Sequence, residues 1–300
     1  MPCVYVNVPD EKKEKELNLR LNKNLGEWDM DLLANLDEDL LKDVGFTSEE
    51  LDKIFQLDVE PDADNVPEVR ETNIKLGDMF QLGDHRLLCG DATQRTDVER
   101  LMNGQKADMV FTDPPYGVNF KYNQYDDTGG KEKHKEFCRQ WFNILRYFTD
   151  FAVVTGGYGN QQIFFEIEPS LNTMVWYKKF GISRGFVAYA TLTEPIYVYG
   201  KCPKGRYDTD FFEFQTDRTK GLHDKHPCPK PIKLLEALIS PQIDRNRICM
   251  DLFGGSGSTM IACERLNRKC YMMEIDPLYC QTIIDRWEQY TNQKSNKINI

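Results

Sequence analysis

From about residue 71 onward, short apolar segments that end in Gly, Asp or Pro alternate with helix-patterned stretches, and this alternation constrains the fold more than any other feature. The segments are HRLLCGDAT, ADMVFTDPPY, DFAVVTGG, NTMVWYKK, EPIYVYGK, RICMDLFGG and KCYMMEID. Their polar endings are those of strands running into loops. Helical patterns lie between them at 131–149, 158–167, 230–240, 258–267 and 277–291. The alternation predicts an α/β fold with a mostly parallel, doubly wound sheet. Such sheets bind ligands at the carboxyl ends of their strands, which is where the chemistry is expected.

The first 70 residues read differently. Residues 10–24, DEKKEKELNLRLNKN, predict a charged amphipathic helix. A second is expected at 29–42, where Leu32, Leu33, Leu36, Leu40 and Leu41 fall at helical spacing. Ser48 reads as the N-cap of a third that ends near Phe55. Residues 56–70 contain two prolines, many acids and no apolar period, as a linker does. The expected organisation is an acidic helical appendage at 1–55, a linker at 56–70 and a catalytic domain at 71–300.

Charge sharpens that division. The net charge of −10 argues against a nucleic-acid partner only until it is mapped. Residues 1–70 hold 19 acidic and 8 basic side chains, and the remaining residues 29 acidic and 30 basic. The body is therefore close to neutral and can carry a local basic cleft for phosphates. No segment approaches the roughly 18 apolar residues of a membrane span, and the start of the chain lacks the order of a signal peptide. A cytoplasmic protein without membrane contact is expected. The nine cysteines include no C-x-x-C pair, so they read as reduced, buried thiols rather than a disulfide or zinc framework.

Two motifs carry chemistry. In Met250-Asp-Leu-Phe-Gly-Gly-Ser-Gly-Ser-Thr-Met260 an apolar strand ends in an acid and a glycine turn opens a helix. Glycines there allow unusual torsions and let backbone N–H groups approach a ligand. Glu274, about twenty residues on at the end of the next strand, suits hydrogen bonds from ribose hydroxyls. The missing Gly-Lys-Ser/Thr excludes a phosphate-loop NTPase, while FGGSGS departs only loosely from a dinucleotide loop. The second motif decides. In ADMVFTDPPYGV a strand delivers Asp113, and two prolines stiffen the backbone after it. The Asp113 carboxylate and the Pro114 carbonyl can then point at one amino group. Pro115 has no competing amide proton, and Tyr116 offers a flat face for a base.

Asp113-Pro-Pro-Tyr116 together with Asp251-Leu-Phe-Gly-Gly-Ser-Gly257 resembles the DNA amino-methyltransferases that make N6-methyladenine or N4-methylcytosine. The catalytic loop precedes the glycine loop, an order similar to their β class, a circular permutation of the usual Rossmann-like methyltransferase order. The resemblance extends over 71–300. His226-Pro-Cys-Pro-Lys230-Pro231 resembles the family's H-P-T-Q-K-P element, with Cys228 and Pro229 departing from it; Thr193–Gly200 resembles a core strand, and Leu87–Asp91 the segment beside the cofactor adenine. The resemblance implies S-adenosyl-L-methionine as cofactor and DNA as partner, in an enzyme of the restriction-modification kind. Asp113, Pro114, Pro115 and Tyr116 would form the catalytic loop, with Tyr116 stacked on a flipped base. Asp251, Phe253, Gly254, Gly255 and Gly257 would surround the methionine end, Glu274 the ribose, Asp91 the adenine, and Lys230 the cofactor carboxylate.

Asp at the head of the tetrapeptide favours adenine, with N4-cytosine as the alternative. Methylation of RNA or protein glutamine fits less well, because those relatives usually carry Asn first and place the glycine loop earlier. An inactive cofactor- or DNA-binding subunit is opposed by the intact motifs. Lys178, Lys179 and Arg184, beside Trp176, Tyr177, Phe180 and Phe186, are candidates for nucleic-acid contact or for an ordinary solvated strand end. Arg206, Arg218, Lys220 and Lys225 fall in 201–225, where this class places target recognition. His223, His226 and Cys228 have no fourth ligand at a convincing interval, so no metal is expected. Residues 1–55 resemble the tail that joins a ParB-like domain to the methyltransferase in longer bacterial and phage proteins. A homodimer, or a separate DNA-recognition subunit, is therefore expected to supply further DNA contacts.

Overall fold

The computed structural model describes residues 63–117, 130–182, 191–203, 209–215 and 229–298, the stretch 36–47, and residues 10, 13, 19, 33, 50, 51, 54 and 55, without the side chains of 179–182 and 191. The chain forms two compact units, Met1–Glu60 and Pro61–Ile300.

In the first unit the expected helix at 29–42 is interrupted. Asp37 is extended, and its carboxylate accepts from the amides of Asp39 at 2.9 Å and Leu40 at 3.2 Å, so α1 begins at Glu38 and runs Glu38–Val44. Gly45, at φ +98°, closes the helix, donating to Lys42 O while Phe46 N–H reaches back to Leu41 O. The next cap is one residue earlier than expected. Thr47 Oγ1 accepts from Glu50 N–H at 3.2 Å, and Glu50 Oε2 accepts from Thr47 N–H at 2.7 Å, a reciprocal capping box built on Thr47 rather than Ser48. Leu33, Leu40, Leu41, Val44, Leu51 and Ile54 close a small core of their own.

The second unit is a mixed sheet between two helical layers. In chain order its elements are β1 (Met79–Leu82), β2 (His85–Cys89), α2 (Arg95–Met102), β3 (Met109–Thr112), α3 (Gly130–Phe148), β4 (Phe151–Thr155), α4 (Gln161–Ile167), β5 (Asn172–Ile182), β6 (Thr191–Gly200), β7 (Phe211–Glu213), α5 (Ile232–Ile239), β8 (Ile248–Asp251), α6 (Ser258–Arg265), β9 (Lys269–Glu274), α7 (Pro277–Thr291) and β10 (Asn296–Ile298). The strand order is β10-β1-β2-β9-β8-β3-β4-β6-β5-β7. Its centre, β2-β9-β8-β3-β4, is parallel; β1 and β10 on one side and β6 and β5 on the other are antiparallel, and β7 adds parallel to β5.

Each central strand is buried on both faces. In β4, Phe151 and Val153 join the core beneath α5, α6 and α7, while Ala152 and Val154 join the one beneath α2, α3 and α4. Leu235, Ile261 and Trp287 fill the first layer; Trp141, Phe142 and Phe164 fill the second. The sheet then fixes the site. From β3 the chain crosses by α3 to β4, and from the neighbouring β8 it crosses by α6 to β9 in the opposite direction. Adjacent strands whose connections diverge leave a crevice at their carboxyl ends. Asp113 follows β3 and Asp251 ends β8, so both face that crevice.

The expected linker needs correction in its second half. Ala63 O accepts from Arg286 Nη2 at 2.7 Å, Asp64 Oδ1 accepts from Ile232 N–H at 3.3 Å, Val66 is buried, and Arg70 makes a two-pronged ion pair with Asp285 at 2.6 and 2.7 Å. The proline- and acid-rich composition resembles a free tether, but α7 supplies a guanidinium and a carboxylate that hold it down. Among the described residues no helix is long and apolar enough to cross a membrane.

Candidate active site

One side of the crevice is built by the ends of β2, β9 and β8. Asp251 is buried, and its Oδ1 accepts from Thr112 Oγ1 at 2.8 Å and from Phe253 N–H at 3.0 Å. Burial pushes its carboxyl up to about 7, against hydrogen bonds from Thr259, Phe253 and Thr112, and the nearby Asp113 charge adds to the rise. The turn that follows is tied back to the sheet by Gly254 N–H on Met273 O at 2.8 Å. A Cβ on Gly254 would lie 2.8 Å from the Met272 side chain, so this residue sets how closely the loop approaches β9. Gly255 (φ +52°) and Gly257 (φ +82°) take left-handed torsions, and among the described residues nothing lies within 4 Å of where a Gly255 Cβ would stand. The loop therefore faces open space before entering α6.

Glu274 spans that turn. Its Oε2 accepts from Gly255 N–H at 2.7 Å and its Oε1 from Asp276 N–H at 2.9 Å. Burial raises its carboxyl to about 7, partly offset by those amides. Gly90 N–H bonds Glu274 O at 2.9 Å, which places Asp91 beside it at the end of β2; the Asp91 carboxylate is turned onto Thr93 N–H and Oγ1, both at 2.8 Å. Phe253 is half-buried, edge-on to Trp141 with centroids 5.4 Å apart.

The other side gathers charges. Thr112 pairs with Val154, so Thr155 stands beside Asp113, and its hydroxyl donates to Asp113 Oδ1. Tyr116 OH lies 2.6 Å from the same oxygen and 2.6 Å from Glu194 Oε1. Burial, together with the two carboxylates, raises this phenol well above its ordinary pKa. Lys230, at the entry to α5, places its ammonium on Asp113 Oδ2, 3.2 Å from Tyr116 OH and 3.5 Å from Glu194 Oε1. Lys178 donates to Glu194 Oε2 and lies 4.1 Å from the centroid of Trp176, which pairs with Glu194 across the β5–β6 ladder. Burial would raise the Glu194 carboxyl, but Lys230, Lys178 and the Tyr116 hydroxyl hold it down at about 2. The ring of Tyr116 rests on Gly157, where a Cβ would come within 3.1 Å, and Asn160 Nδ2 donates to Tyr116 O at 3.0 Å.

The structure thus brings Asp113, Pro114, Pro115, Tyr116 and Lys230 together on one side and Asp91, Asp251, Phe253, Gly254, Gly255, Gly257 and Glu274 on the other. Two placements differ from expectation. Lys230 sits on the Asp113 carboxylate rather than at the glycine loop, because the turn before α5 opens beside β3 and β6. Lys178 is turned into the site, where a buried carboxylate holds it, instead of outward as a backbone contact. The Lys179 side chain, Arg184, Arg206, Arg218, Lys220, Lys225, His223, His226 and Cys228 lie outside the described residues. Among the described residues no His, Cys, Asp and Glu group could hold a metal ion. Sequence reasoning missed Glu194 and Thr155; an acid within the otherwise apolar strand TLTEPIYVYG was the available signal for the first.

Comparison with known proteins agrees with this geometry. Type II methyltransferase M.HpaI from Haemophilus parainfluenzae is 24% identical over an alignment covering 70% of this chain and 76% of the relative. Putative methylase YubD from Escherichia coli is 26% identical, covering 63% and 84%. Two solved structures share the fold: the PvuII cytosine-N4-specific DNA methyltransferase (TM-score 0.52, 17% identity, 69% of this chain and 89% of that one) and TTHA0409, a putative DNA modification methylase from Thermus thermophilus (TM-score 0.52, 19% identity, 70% and 97%). A family model for N6/N4 DNA methylases matches residues 107–285, a span that holds the catalytic tetrapeptide, the glycine loop and Glu274. The chain belongs to this family, the β-class DNA amino-methyltransferases.

Proposed function

We propose that this enzyme transfers a methyl group from S-adenosyl-L-methionine to the exocyclic N6 of adenine in DNA. The observation that carries the reading is the meeting of two unlike half-sites at one switch point: a glycine cradle with two buried carboxyls, and a rigid Asp-Pro-Pro-Tyr loop on the neighbouring strand. The cradle fits the cofactor. The open space before Gly255 admits it closely, Glu274 offers its remaining lone pairs to ribose hydroxyls, and Asp251 with Phe253 lines the methionine end. When bound, the cofactor supplies an electrophilic sulfonium methyl.

The chain's own residues supply orientation and electron push. The amino nitrogen of adenine is a weak nucleophile because its lone pair is delocalised into the ring. Hydrogen bonds from its two protons to the Asp113 carboxylate and the Pro114 carbonyl pull density back onto nitrogen, in a geometry held before reaction. Tyr116, seated on Gly157, presents its ring to a base rotated out of the duplex. Asp at the head of the tetrapeptide supports adenine over cytosine. Further DNA contacts come from a second copy or a separate recognition subunit; tight, site-specific binding by an isolated monomer would overturn that part.

Incubating the protein with mixed-sequence DNA and cofactor, then mapping modified bases by single-molecule sequencing, tests base and context together. N6-methyladenine at a defined site is expected. N4-methylcytosine would reassign the base, and absence of transfer despite cofactor binding would point to an inactive subunit.

A further inference from the structure

We propose that Glu194 is a positioning residue that clears Asp113 for the target amino group by taking over two donors that otherwise occupy it; the inference rests on the methyl-transfer reading above. An ionised carboxylate offers about four lone-pair sites. Three are in use at Asp113. The hydroxyls of Thr155 and Tyr116 share Oδ1, and the Lys230 ammonium is on Oδ2. A base N–H arriving there meets a carboxylate whose charge is already drawn toward an ammonium. The electron push on the amino nitrogen depends on that charge.

Two of the three donors have an alternative acceptor, and it is the same one. The phenol of Tyr116 carries one proton, yet its oxygen is 2.6 Å from Asp113 Oδ1 and 2.6 Å from Glu194 Oε1, so it donates to one at a time. Lys230 Nζ, while on Asp113, is only 3.5 Å from Glu194 Oε1. A shift well under the length of one bond moves the ammonium across. Thr155 stays on Asp113 and keeps the carboxylate aimed.

Glu194 is built for this exchange. It is 6% exposed, so water competes little for it. Lys178 holds Oε2 and is itself braced over Trp176, which leaves Oε1 as the receiving oxygen. The four charges, those of Asp113, Glu194, Lys178 and Lys230, balance in either arrangement, so the exchange moves hydrogen bonds without leaving a buried charge uncompensated. No covalent bond changes.

Glu194→Gln keeps the shape and a carbonyl acceptor but removes the charge that draws Lys230. With DNA carrying the mapped site, its kcat at a temperature where the variant is fully folded should fall about tenfold or more, while cofactor affinity stays within about twofold; the melting temperature should drop, because two lysines then share one counter-charge. Glu194→Asp should recover part of the rate. The decisive arm combines Glu194→Gln with Tyr116→Phe. With the hydroxyl gone, one of the two donors no longer needs removal, so the Glu194→Gln penalty should shrink in that background. Wild-type kcat in Glu194→Gln, a loss of cofactor affinity as large as the loss of rate, or penalties that multiply in full would each overturn the proposal. Failure of the wild type to methylate DNA, or full activity in Asp113→Ala, would instead sink the function itself.

Discussion

The crevice holds two pairs of carboxyls that differ in electrostatic state. On the cofactor side Asp251 and Glu274 are buried among neutral donors, hydroxyls and backbone amides, and burial lifts both to about 7. On the base side Asp113 and Glu194 are tied to the lysine ammoniums, and Glu194 is held near 2. One sheet thus prepares Glu194 and the Asp251–Glu274 pair in opposite ways. The difference follows the partner each side receives. In the proposed function the cofactor brings ribose hydroxyls and a positive sulfonium of its own, and the carboxyls that await it, Asp251 and Glu274, are held by hydroxyls and amides. In the proposed function an adenine amino group brings no charge, and the carboxylates that face it come with lysines of their own.

The largest break in this contrast is Asp113→Ala. Methyl transfer should fall to background, a loss of about a thousandfold or more, with cofactor binding retained, as measured by transfer assay beside calorimetric titration. Gly254→Val should damage the other side in the converse way. The new side chain meets Met272 and Ile283, so cofactor binding should be lost and stability should drop by about 1–3 kcal/mol in a denaturant titration.

Glu274→Gln sharpens the comparison through pH. With its carboxyl at about 7 in the free protein, ribose hydroxyls favour the ionised form, so cofactor binding releases a proton and affinity should rise as pH increases through 7 before levelling. Glu274→Gln should bind about tenfold more weakly above pH 8 and show a flatter profile. Folding carries the opposite sign. Because Asp251 and Glu274 titrate higher folded than unfolded, their contribution is full below their unfolded pKa values and is lost as pH rises through about 7. Thr112→Val should have the smallest effect, about 1–2 kcal/mol of stability from the lost hydrogen bonds to Asp251 and from Leu252 N–H, with transfer nearly unchanged.

Much of the fold was legible because local pattern and tertiary role coincide. Buried parallel strands such as FAVVT and ICMD are apolar up to their last residue, and acids and glycines stand where they meet their loops. The tetrapeptide, the glycine turn and Glu274 could be read for that reason. The edges could not: β1, β7 and β10 are only three or four residues long, too short to carry a pattern until a neighbour pairs with them. The Lys230–Asp113 pair joins residues 117 positions apart, and Glu194 carries no motif of its own, so only folding reveals which carboxylate each lysine reaches. Residues 63–70 misread as tether for a similar reason, since the residues that hold them, Ile232, Asp285 and Arg286, lie far along the chain.

Arg286 joins that strap to the site in a mechanical sense. Its buried guanidinium holds Ser256 O at 2.9 Å and the Ser258 hydroxyl at 3.2 Å from behind the glycine turn, while its other nitrogen holds Ala63 O at 2.7 Å. Residue 63 lies just inside the boundary where the first unit's chain enters the second. One buried cation thus serves as a rivet through both strap and turn, and losing the Arg286 guanidinium would loosen residue 63 and the glycine turn together.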